Sequence, residues 1–266
     1  MATLTLAKAL NDGLRAAMER DPKVLIMGED VGRLGGVFRI TDGLQKDFGE
    51  DRVVDTPLAE SGIVGTAIGL ALRGYRPVCE IQFDGFVFPA YNQIVSQVAK
   101  MFYRSLGNVR LPIVIRIPFG GGIGAVEHHS ESPEAYFAHT AGLKVVSCAN
   151  PNDAYWMIQQ AIGSDDPIIF LEPKRRYWEK GQVDLDPVFE SVRRTGRLVV
   201  VHEAPSNLGL GAEIAARVTE QCFYSLEAPV LRVTGFDVPY PPARLEEEYL
   251  PDLDRVLDGV DRSLGW

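Results

Sequence analysis

The chain has 266 residues, 46% of them hydrophobic, which is enough for one large domain or two ordinary ones with a substantial core. Its formal net charge of −9 argues against binding to nucleic-acid phosphates, because that task requires a basic face. The first residues do not form an export signal, and no run of about 18 apolar residues could cross a membrane. We therefore predict a cytoplasmic protein without nucleic-acid or membrane partners.

Apolar periodicity predicts helices that alternate with short strands through the first two thirds of the chain. Thr3 or Thr5 can cap the first helix, and Asn150 before Pro151 marks the start of a later one. The predicted elements are, in order, a helix from residue 6 to before residue 21, strand 24–27, helix 61–72, strand 78–82, helix 92–102, strand 112–117, helix 151–162 and strand 168–171. This alternation predicts an α/β fold with a mostly parallel sheet covered on both faces.

A polar segment separates this region from a second, shorter alternation. Residues 172–187 are charged and lack periodicity, and we interpret them as a linker. Beyond them we predict strand 198–202, helix 210–223, strand 230–234 and a closing helix over residues 252–264. About 80 residues is near the small end of the domain range, so the second domain is predicted to be the smaller one.

Glu60 occupies an unusual position, where a strand-like run stops at Pro57 and an apolar helix begins. The helix dipole favours an acid in the first turn by about 0.3–1 kcal/mol. Gly62, Gly65 and Gly69 leave one flank of this helix bare for another backbone or a flat ligand, although each costs about 1 kcal/mol relative to alanine. Glu60 is therefore either a helix-start acid or a functional carboxylate.

The glycine-rich segment of residues 120–125 formally satisfies the dinucleotide-binding pattern Gly-x-Gly-x-x-Ala. That pattern requires a helix within the glycines and an acid at the end of the next strand. Here Pro118 is expected to break the preceding strand, and residues 144–147 carry no acid. We predict a flexible active-site loop instead of a nicotinamide or flavin site.

Two further positions are candidates for chemistry. His129 follows the glycines, and its alternatives are a structural, a solvated or a catalytic histidine. Gln82 stands at the carboxyl end of a predicted strand, where open α/β sheets bind ligands. The nearby aromatics Phe83 and Phe88 suit a core strand, whereas a buried amide such as that of Gln82 must find partners.

Several strings occur together in an order that resembles one family, the β subunits of the thiamine-diphosphate-dependent 2-oxo acid dehydrogenases. These are the E1 components of the pyruvate and branched-chain complexes. The resemblance covers residues 4–178 and resumes from residue 185. Its most specific strings are Gly28-Glu29-Asp30-Val31, Asp55-Thr56-Pro57-Leu58-Ala59-Glu60, Glu80-Ile81-Gln82-Phe83, His129-Ser130, His139-Thr140-Ala141-Gly142-Leu143-Lys144, Leu171-Glu172-Pro173-Lys174 and Gly235-Phe236-Asp237-Val238-Pro239-Tyr240-Pro241.

The resemblance implies the fold and the domain boundaries. It implies a transketolase-like pyrimidine-binding domain over residues 1–178, with a mostly parallel sheet. A linker would cover residues 179–187, and an incomplete α/β domain of the transketolase C-terminal type would cover residues 188–266. Family members usually carry roughly 60 residues more after Asp184, as a full-sized second domain requires. Either that stretch is lost, or it is cleaved or missing from the sequence; an intact mass above 29.3 kDa would show the latter.

The resemblance also implies roles for individual residues. Glu60 matches the acid that bonds to the pyrimidine N1′ of thiamine diphosphate and favours the imino tautomer that activates the thiazolium carbon. Leu58, Gln82 and Phe86 match positions that hold the pyrimidine ring, and branched-chain relatives often have tyrosine at the position of Phe86. His129 matches a histidine implicated in acyl transfer to the lipoyl arm, a task suited to a group that titrates near neutrality.

Metal sites and partners follow from the same resemblance. The family has a monovalent-cation site, with K+ as one candidate, built from loop oxygens; the matching positions are Ile113, Ala161, Ile162, Ser164 and Asp166. No Gly-Asp-Gly segment is present to hold Mg2+ and diphosphate. We therefore expect an α subunit to bind Mg2+ and the phosphate half of the cofactor in an α2β2 assembly. The expected partner downstream is an E2 lipoyl acyltransferase.

Several functions remain open at this stage. The strings at residues 171–177 and 138–142 look more like the branched-chain type, which predicts a branched-chain 2-oxo acid as the substrate. The alternatives are a pyruvate dehydrogenase E1 β subunit, an acetoin dehydrogenase β subunit and a scaffold with a degenerate second domain. A nicotinamide-dependent dehydrogenase is the remaining alternative.

Overall fold

The computed structural model describes residues 3–181, 188–205, 210–238 and 240–266. The chain forms two compact units. Unit 1 consists of Met1–Phe119 and Tyr136–Val183, and unit 2 consists of Gly120–Ala135 and Asp184–Trp266. The glycine-rich segment thus lies with unit 2, whereas the sequence analysis placed it in the first domain.

Unit 1 contains a six-stranded sheet in which all neighbouring strands are parallel, as predicted. Its order is β3-β2-β4-β5-β7-β6. The strands are β2 (Val24–Gly28), β3 (Val53–Asp55), β4 (Arg76–Glu80), β5 (Val114–Phe119), β6 (Lys144–Ser147) and β7 (Ile168–Pro173). A separate antiparallel pair joins β1 (Leu4–Thr5) to β8 (Lys180–Gly181).

Helices cover both faces of this sheet, because its strands are apolar on both sides. The Thr5 side chain caps α1 (Leu6–Arg20), and that of Asn150 caps α6 (Pro151–Gly163), so both predicted caps are confirmed. These two helices pack closely, since a Cβ on Gly13 would lie 2.5 Å from Ile158 Cγ2. The other helices of this unit are α2 (Leu44–Phe48), α3 (Glu60–Leu72) and α4 (Met101–Arg104), while α5 spans Glu134–Ala138.

Three local predictions were wrong. Strand β5 does not break at Pro118 but continues to Phe119; beyond Arg116 it pairs only with β7, so the proline stands where an edge strand tolerates one. Glu172, Lys174 and Tyr177 of the expected linker are buried instead, because the two charged side chains find buried ion-pair partners. The predicted helix over residues 92–102 is divided into a π-helix at Gln93–Val98 and the short α4.

Unit 2 has a two-stranded parallel sheet of β9 (Val199–Pro205) and β10 (Leu231–Gly235). Its helices are α7 (Val188–Thr195), α8 (Leu210–Cys222), α9 (Glu246–Tyr249) and α10 (Leu253–Leu264). Val192, Val218 and Cys222 form a small core, and a second cluster consists of Tyr240, Tyr249 and Leu250. The predicted strands and helices are found here at the expected positions, and α7 was not predicted. In the described part of the chain, no helix is long and apolar enough to cross a membrane.

Candidate active site

Three neighbouring strands end side by side at one edge of the unit 1 sheet. Gly28, the last residue of β2, pairs with Asp55 at the end of β3 and with Glu80 at the end of β4. The chain beyond these ends carries Glu29, Glu60 and Gln82 within a few residues of the sheet. This is the edge at which open α/β sheets place their ligands.

Glu60 and Glu29 are two buried carboxylates at this edge, each with 6% of its surface exposed. Glu60 is the first residue of α3, where the helix dipole favours a negative charge. Burial raises the pKa of Glu29, and the nearby charges of Glu60 and Asp30 raise it further. A hydrogen bond from the backbone N–H of Ala59 acts in the opposite direction.

The Glu29 carboxylate is only partly satisfied by the protein. Its Oε1 atom is buried and has no hydrogen-bond partner within the described residues. A buried polar atom without a partner is costly and usually marks a place where another group binds. The paired acids therefore suit a ligand that brings a basic nitrogen or an N–H group to this edge.

Gln82 lies against the same segment. Its Nε2 donates to Asp30 Oδ2 at 3.1 Å and, more weakly, to the Glu29 carbonyl at 3.4 Å. Asp30 has a φ of 58°, an uncommon backbone conformation for a residue other than glycine, and such conformations concentrate at functional sites. The structure thus places the Gln82 amide against the Glu29–Asp30 segment at the sheet edge.

Phe86 and Leu58 present apolar surface near these strand ends. Phe86 is half-buried and packs edge-to-face on Phe83, with ring centroids 5.8 Å apart. Leu58 is 75% exposed, on the short connection between β3 and α3. The Leu58 side chain is therefore accessible to a ligand.

His129 belongs to unit 2 and follows the glycine-rich segment. It ends a 3₁₀ turn at Glu127–His129, and its backbone N–H donates to the Val126 carbonyl at 3.3 Å. Val126 has a φ of 50°, so the turn begins from an uncommon backbone conformation. The glycine segment before it is not a dinucleotide fingerprint, because several of its N–H groups already bind carboxylates of Glu203 and Glu246.

A second pair of charged residues lies elsewhere in unit 2. His202 contacts the Glu134 carboxylate. Burial alone would lower the pKa of His202, but the hydrogen bond and the charge of Glu134 outweigh it and raise that pKa. The contact therefore favours the charged imidazolium.

A network of buried charged side chains connects the neighbouring strands close to these ends. Arg116 of β5 is fully buried and bonds to Glu80 at 2.6 Å and to both oxygens of Glu172, at 2.6 and 2.9 Å. The Tyr177 hydroxyl also donates to Glu172, at 2.7 Å. Burial raises the pKa of Glu80 in spite of the Arg116 charge. Since Glu80 is the last residue of β4, this network fixes the strand from which Gln82 extends.

The five positions expected to hold a monovalent cation do lie at one corner of unit 1, but their oxygens already have donors. Arg76 donates to the carbonyls of Ile162 and Ser164 at 3.0 and 2.9 Å. The Ile113 carbonyl accepts from the Ile168 N–H at 2.9 Å, and that of Ala161 accepts from the Ser164 N–H at 3.2 Å.

Positively charged side chains also lie beside these five positions. The Asp166 carboxylate pairs with Arg110 at 3.3 Å and with Lys144 at 2.8 Å. A cation would have to approach these side chains and Arg76, and like charges repel. A K+ site at these five positions stays a prediction. Among the described residues there is also no cluster of three or more histidine, cysteine or acidic side chains that could hold a metal.

Sequence reasoning missed several residues that the structure joins to these regions. Glu29 and Asp30 follow directly after an apolar strand, and an acidic doublet at such a strand end is a signal that could have found them. Glu203 and Glu246 carry no such signal. Glu246 opens a run of three glutamates, and the sequence does not distinguish the buried one from its exposed neighbours.

Comparison with known families agrees with this geometry. Residues 2–179 match the model of the transketolase pyrimidine binding domain, and residues 181–256 match that of the transketolase C-terminal domain. A solved chain described as a split-gene transketolase in an inactive β4 tetramer superimposes with a TM-score of 0.76. It covers 99% of both chains at 17% identity, which shows the common fold alone. The chain is thus built from transketolase-type domains.

Curated relatives define the family more narrowly. The pyruvate dehydrogenase E1 component subunit beta of Leifsonia xyli is 56% identical over 99% of this chain and 96% of its own length. The 3-methyl-2-oxobutanoate dehydrogenase subunit beta of Mycobacterium tuberculosis is 47% identical, over 98% of this chain and 92% of its own. The 2-oxoisovalerate dehydrogenase subunit beta of Pseudomonas aeruginosa is 38% identical, over 96% and 93%. This chain belongs to the E1 β subunits of the 2-oxo acid dehydrogenases.

The relatives also show a difference in length. The alignment with the Leifsonia xyli subunit runs over 322 positions, 56 more than the 266 residues of this chain. The relative therefore has residues without a counterpart here. The short match to the C-terminal domain, residues 181–256, agrees with a reduced second domain.

Proposed function

We propose that this chain is the β subunit of an E1 enzyme that uses thiamine diphosphate to decarboxylate a branched-chain 2-oxo acid. The enzyme then transfers the acyl group to the lipoyl group of an E2 acyltransferase. The observation that carries the proposal is the pair Glu29 and Glu60, buried where three parallel strands end. Gln82, Phe86 and Leu58 would hold the pyrimidine ring at that edge.

The residues at the edge fit this cofactor, which when bound supplies the thiazolium carbon that adds to the 2-oxo group and stabilises the electron pair left by decarboxylation. Glu60 would hold a proton at the pyrimidine N1′ atom. The charge of Glu60 raises the pKa of the neighbouring Glu29, so this edge favours a shared proton over two charged acids. Burial of both acids excludes the water that would otherwise compete for it.

His129 would act in the transfer to the lipoyl group. In this transfer, the acyl carbon would bond to one sulfur of the dithiolane while the S–S bond breaks and the second sulfur takes up a proton. The bond from the acyl carbon to the cofactor would then break as the hydroxyl on that carbon loses its proton, which leaves a thioester. His129 would supply the proton to the second sulfur as a general acid. The acyl group is thereby oxidised and the dithiolane reduced.

The assembly requires a second subunit. An α subunit would bind Mg2+ and the diphosphate, giving an α2β2 enzyme, and the E2 acyltransferase would be the next partner. We place the domains at residues 1–178 and 188–266, joined by residues 179–187, and place the missing stretch after Asp184. The names and greater length of the relatives support this arrangement.

The second candidate substrate is pyruvate. The relative from Leifsonia xyli, at 56% identity, is named for pyruvate, whereas the one from Mycobacterium tuberculosis, at 47%, is named for a branched-chain acid. The chain should be combined with its α subunit and assayed with 3-methyl-2-oxobutanoate, pyruvate and acetoin. We expect the largest kcat/KM for 3-methyl-2-oxobutanoate. A larger value for pyruvate or acetoin would overturn the substrate assignment, and no turnover with any of the three would overturn the enzymatic role.

A further inference from the structure

Within unit 2, two carboxylates hold the backbone of the loop that leads to His129. We propose that Glu246 and Glu203 are positioning residues that fix this loop for acyl transfer. The inference rests on the proposed function of His129. It adds two residues, distant from His129 in sequence, that no sequence motif had assigned.

The contacts follow the glycine segment residue by residue. The Gly121 N–H donates to Glu203 Oε2 at 3.1 Å. The Gly122 N–H donates to Glu246 Oε1, and the Gly124 N–H donates to Glu246 Oε2 at 2.9 Å. Successive N–H groups that converge in this way form an anion-binding concavity of the kind that often binds phosphate. Here side chains of the same unit fill it.

The Glu246 carboxylate is itself held in place. Glu246 is buried at the start of α9, and its Oε1 accepts a hydrogen bond from the Tyr240 hydroxyl at 2.8 Å. Burial raises the pKa of Tyr240, and the hydrogen bond and charge of Glu246 raise it further. The Tyr240 ring packs on that of Tyr249 with centroids 4.9 Å apart. The Glu246 carboxylate is thus held by Tyr240 on one side and by the glycine N–H groups on the other.

The loop backbone can meet these carboxylates only because it is glycine. Gly120, Gly122 and Gly124 have φ values of 79°, 103° and 67°, which favour glycine. A Cβ on Gly121 would lie 1.9 Å from the Tyr240 hydroxyl oxygen. The glycines thus provide close approach to an acidic anchor instead of a cradle for a cofactor phosphate.

His129 lies between this anchor and a second fixed point. The Gly120 N–H donates to the Glu131 carbonyl at 3.0 Å, so the chain closes on itself two residues after His129. With the glycine end held by the carboxylates and the far end closed by this bond, the intervening turn has little freedom. Small displacements of a reacting group cost large factors in rate, so the anchor should matter for the step that uses His129.

The test separates two partial reactions of the assembled α2β2 enzyme. Decarboxylation is followed with the dye 2,6-dichlorophenolindophenol as electron acceptor, and acyl transfer with the lipoyl domain of E2. Glu246→Gln replaces one acceptor oxygen by an amide that cannot accept the second N–H. We expect it to lower the rate of acyl transfer by about tenfold or more, with dye reduction within about twofold of the wild type.

The matched control is Glu248→Gln, the same change two residues along the chain at an exposed position; it should alter neither rate. Equal rates in Glu246→Gln and wild type, or an equal fall in both reactions, would overturn the inference. A wild-type assembly that fails to reduce the dye with any 2-oxo acid would instead overturn the proposed function.

A second variant keeps the test decisive if Glu246→Gln does not assemble. Tyr240→Phe keeps the ring and the Glu246 charge but removes one hydrogen bond. We expect this loss to lower the rate of acyl transfer roughly fivefold. A selective fall in acyl transfer of about that size supports the anchor. An unchanged rate of acyl transfer, or an equal fall in dye reduction, contradicts it.

Discussion

Glu29 and Glu60 differ from the other buried acids of unit 1 in the partners they have. Glu80, Glu172 and Asp84 each form an ion pair with a buried arginine or lysine. Within the described residues, neither Glu29 nor Glu60 has an ion-pair partner. Two adjacent buried acids without a cation disfavour full ionisation, a property that suits proton sharing with a bound base.

Glu60→Gln should test the role of this acid at the level of one atom. The amide keeps the size of the side chain but cannot share a proton with N1′. We expect kcat for dye-coupled decarboxylation to fall by about 10²–10⁴-fold. Assembly with the α subunit, followed by size-exclusion chromatography, should be unchanged. Full activity in this variant would exclude the proposed role, and a protein without activity before mutation would favour a scaffold.

Glu29 should make stability depend on pH. Its folded-state pKa is raised above the ordinary value of 4.5, so between these two values the folded state binds more protons than the unfolded state. The stability contributed by the protonated acid is present at low pH and is lost as the pH rises through the folded pKa. The wild type should therefore lose free energy of unfolding as the pH rises from 4.5, and Glu29→Gln should not show this loss. The free energy of unfolding of the variant minus that of the wild type should become more positive over this range.

Urea denaturation at several pH values between about 4.5 and 8 measures this difference. The exposed Glu50→Gln variant is the control and should show no such trend. A constant difference between Glu29→Gln and wild type across this range would show that Glu29 titrates alike in both states.

At the scale of elements, the strand ends depend on the buried Arg116. This side chain links β5 to the last residue of β4 and to Glu172 of β7, so three adjacent strands share one charge network. Its burial would lower the pKa of Arg116, but the charges of Glu172 and Glu80 more than offset this and raise it. The guanidinium therefore stays charged inside the sheet.

Arg116→Met should destabilise unit 1 strongly. The methionine side chain removes the cation that pairs with both acids and leaves Glu80 and Glu172 buried beside each other. We expect the free energy of unfolding to fall by roughly 3–5 kcal/mol, as measured by urea denaturation. Arg110→Met is the control, because its pair with Asp166 is exposed and worth about 0–1 kcal/mol. A similar small loss in both variants would contradict the account.

Local sequence patterns predicted the elements better than the pairings between them. The caps at Thr5 and Asn150 were predictable because they depend on neighbours within three residues. The continuation of β5 through Pro118 was not predictable, because it requires that β5 pair with a neighbouring strand on one side only beyond Arg116. The burial of Lys174 was not predictable either, since its partner Asp84 is 90 residues away.

The candidate site shows the same division. The sequence placed Glu60 and Gln82 at strand ends, and the structure places both at the same sheet edge. The roles of Glu29 and Glu246 depend on burial and on distant partners, which composition and spacing do not reveal. The positive charge that Arg76 brings to the expected cation site was not predictable, because Arg76 is far from Ile162 in sequence.

At the scale of the whole molecule, we propose that this chain forms one half of a shared site. Unit 1 would supply the paired acids for the pyrimidine, and the sequence has no Gly-Asp-Gly segment for the metal and diphosphate. A protein that holds only one end of a ligand should bind it weakly, because most of the charged contacts are missing. The α subunit should supply them.

Isothermal titration calorimetry of thiamine diphosphate with Mg2+ tests this claim most directly. The isolated chain should show no tight binding, whereas the complex with the α subunit should bind the cofactor tightly. Glu60→Gln in the same complex is a useful control, because it should weaken binding without abolishing it. Tight binding of thiamine diphosphate by the isolated chain would contradict the account.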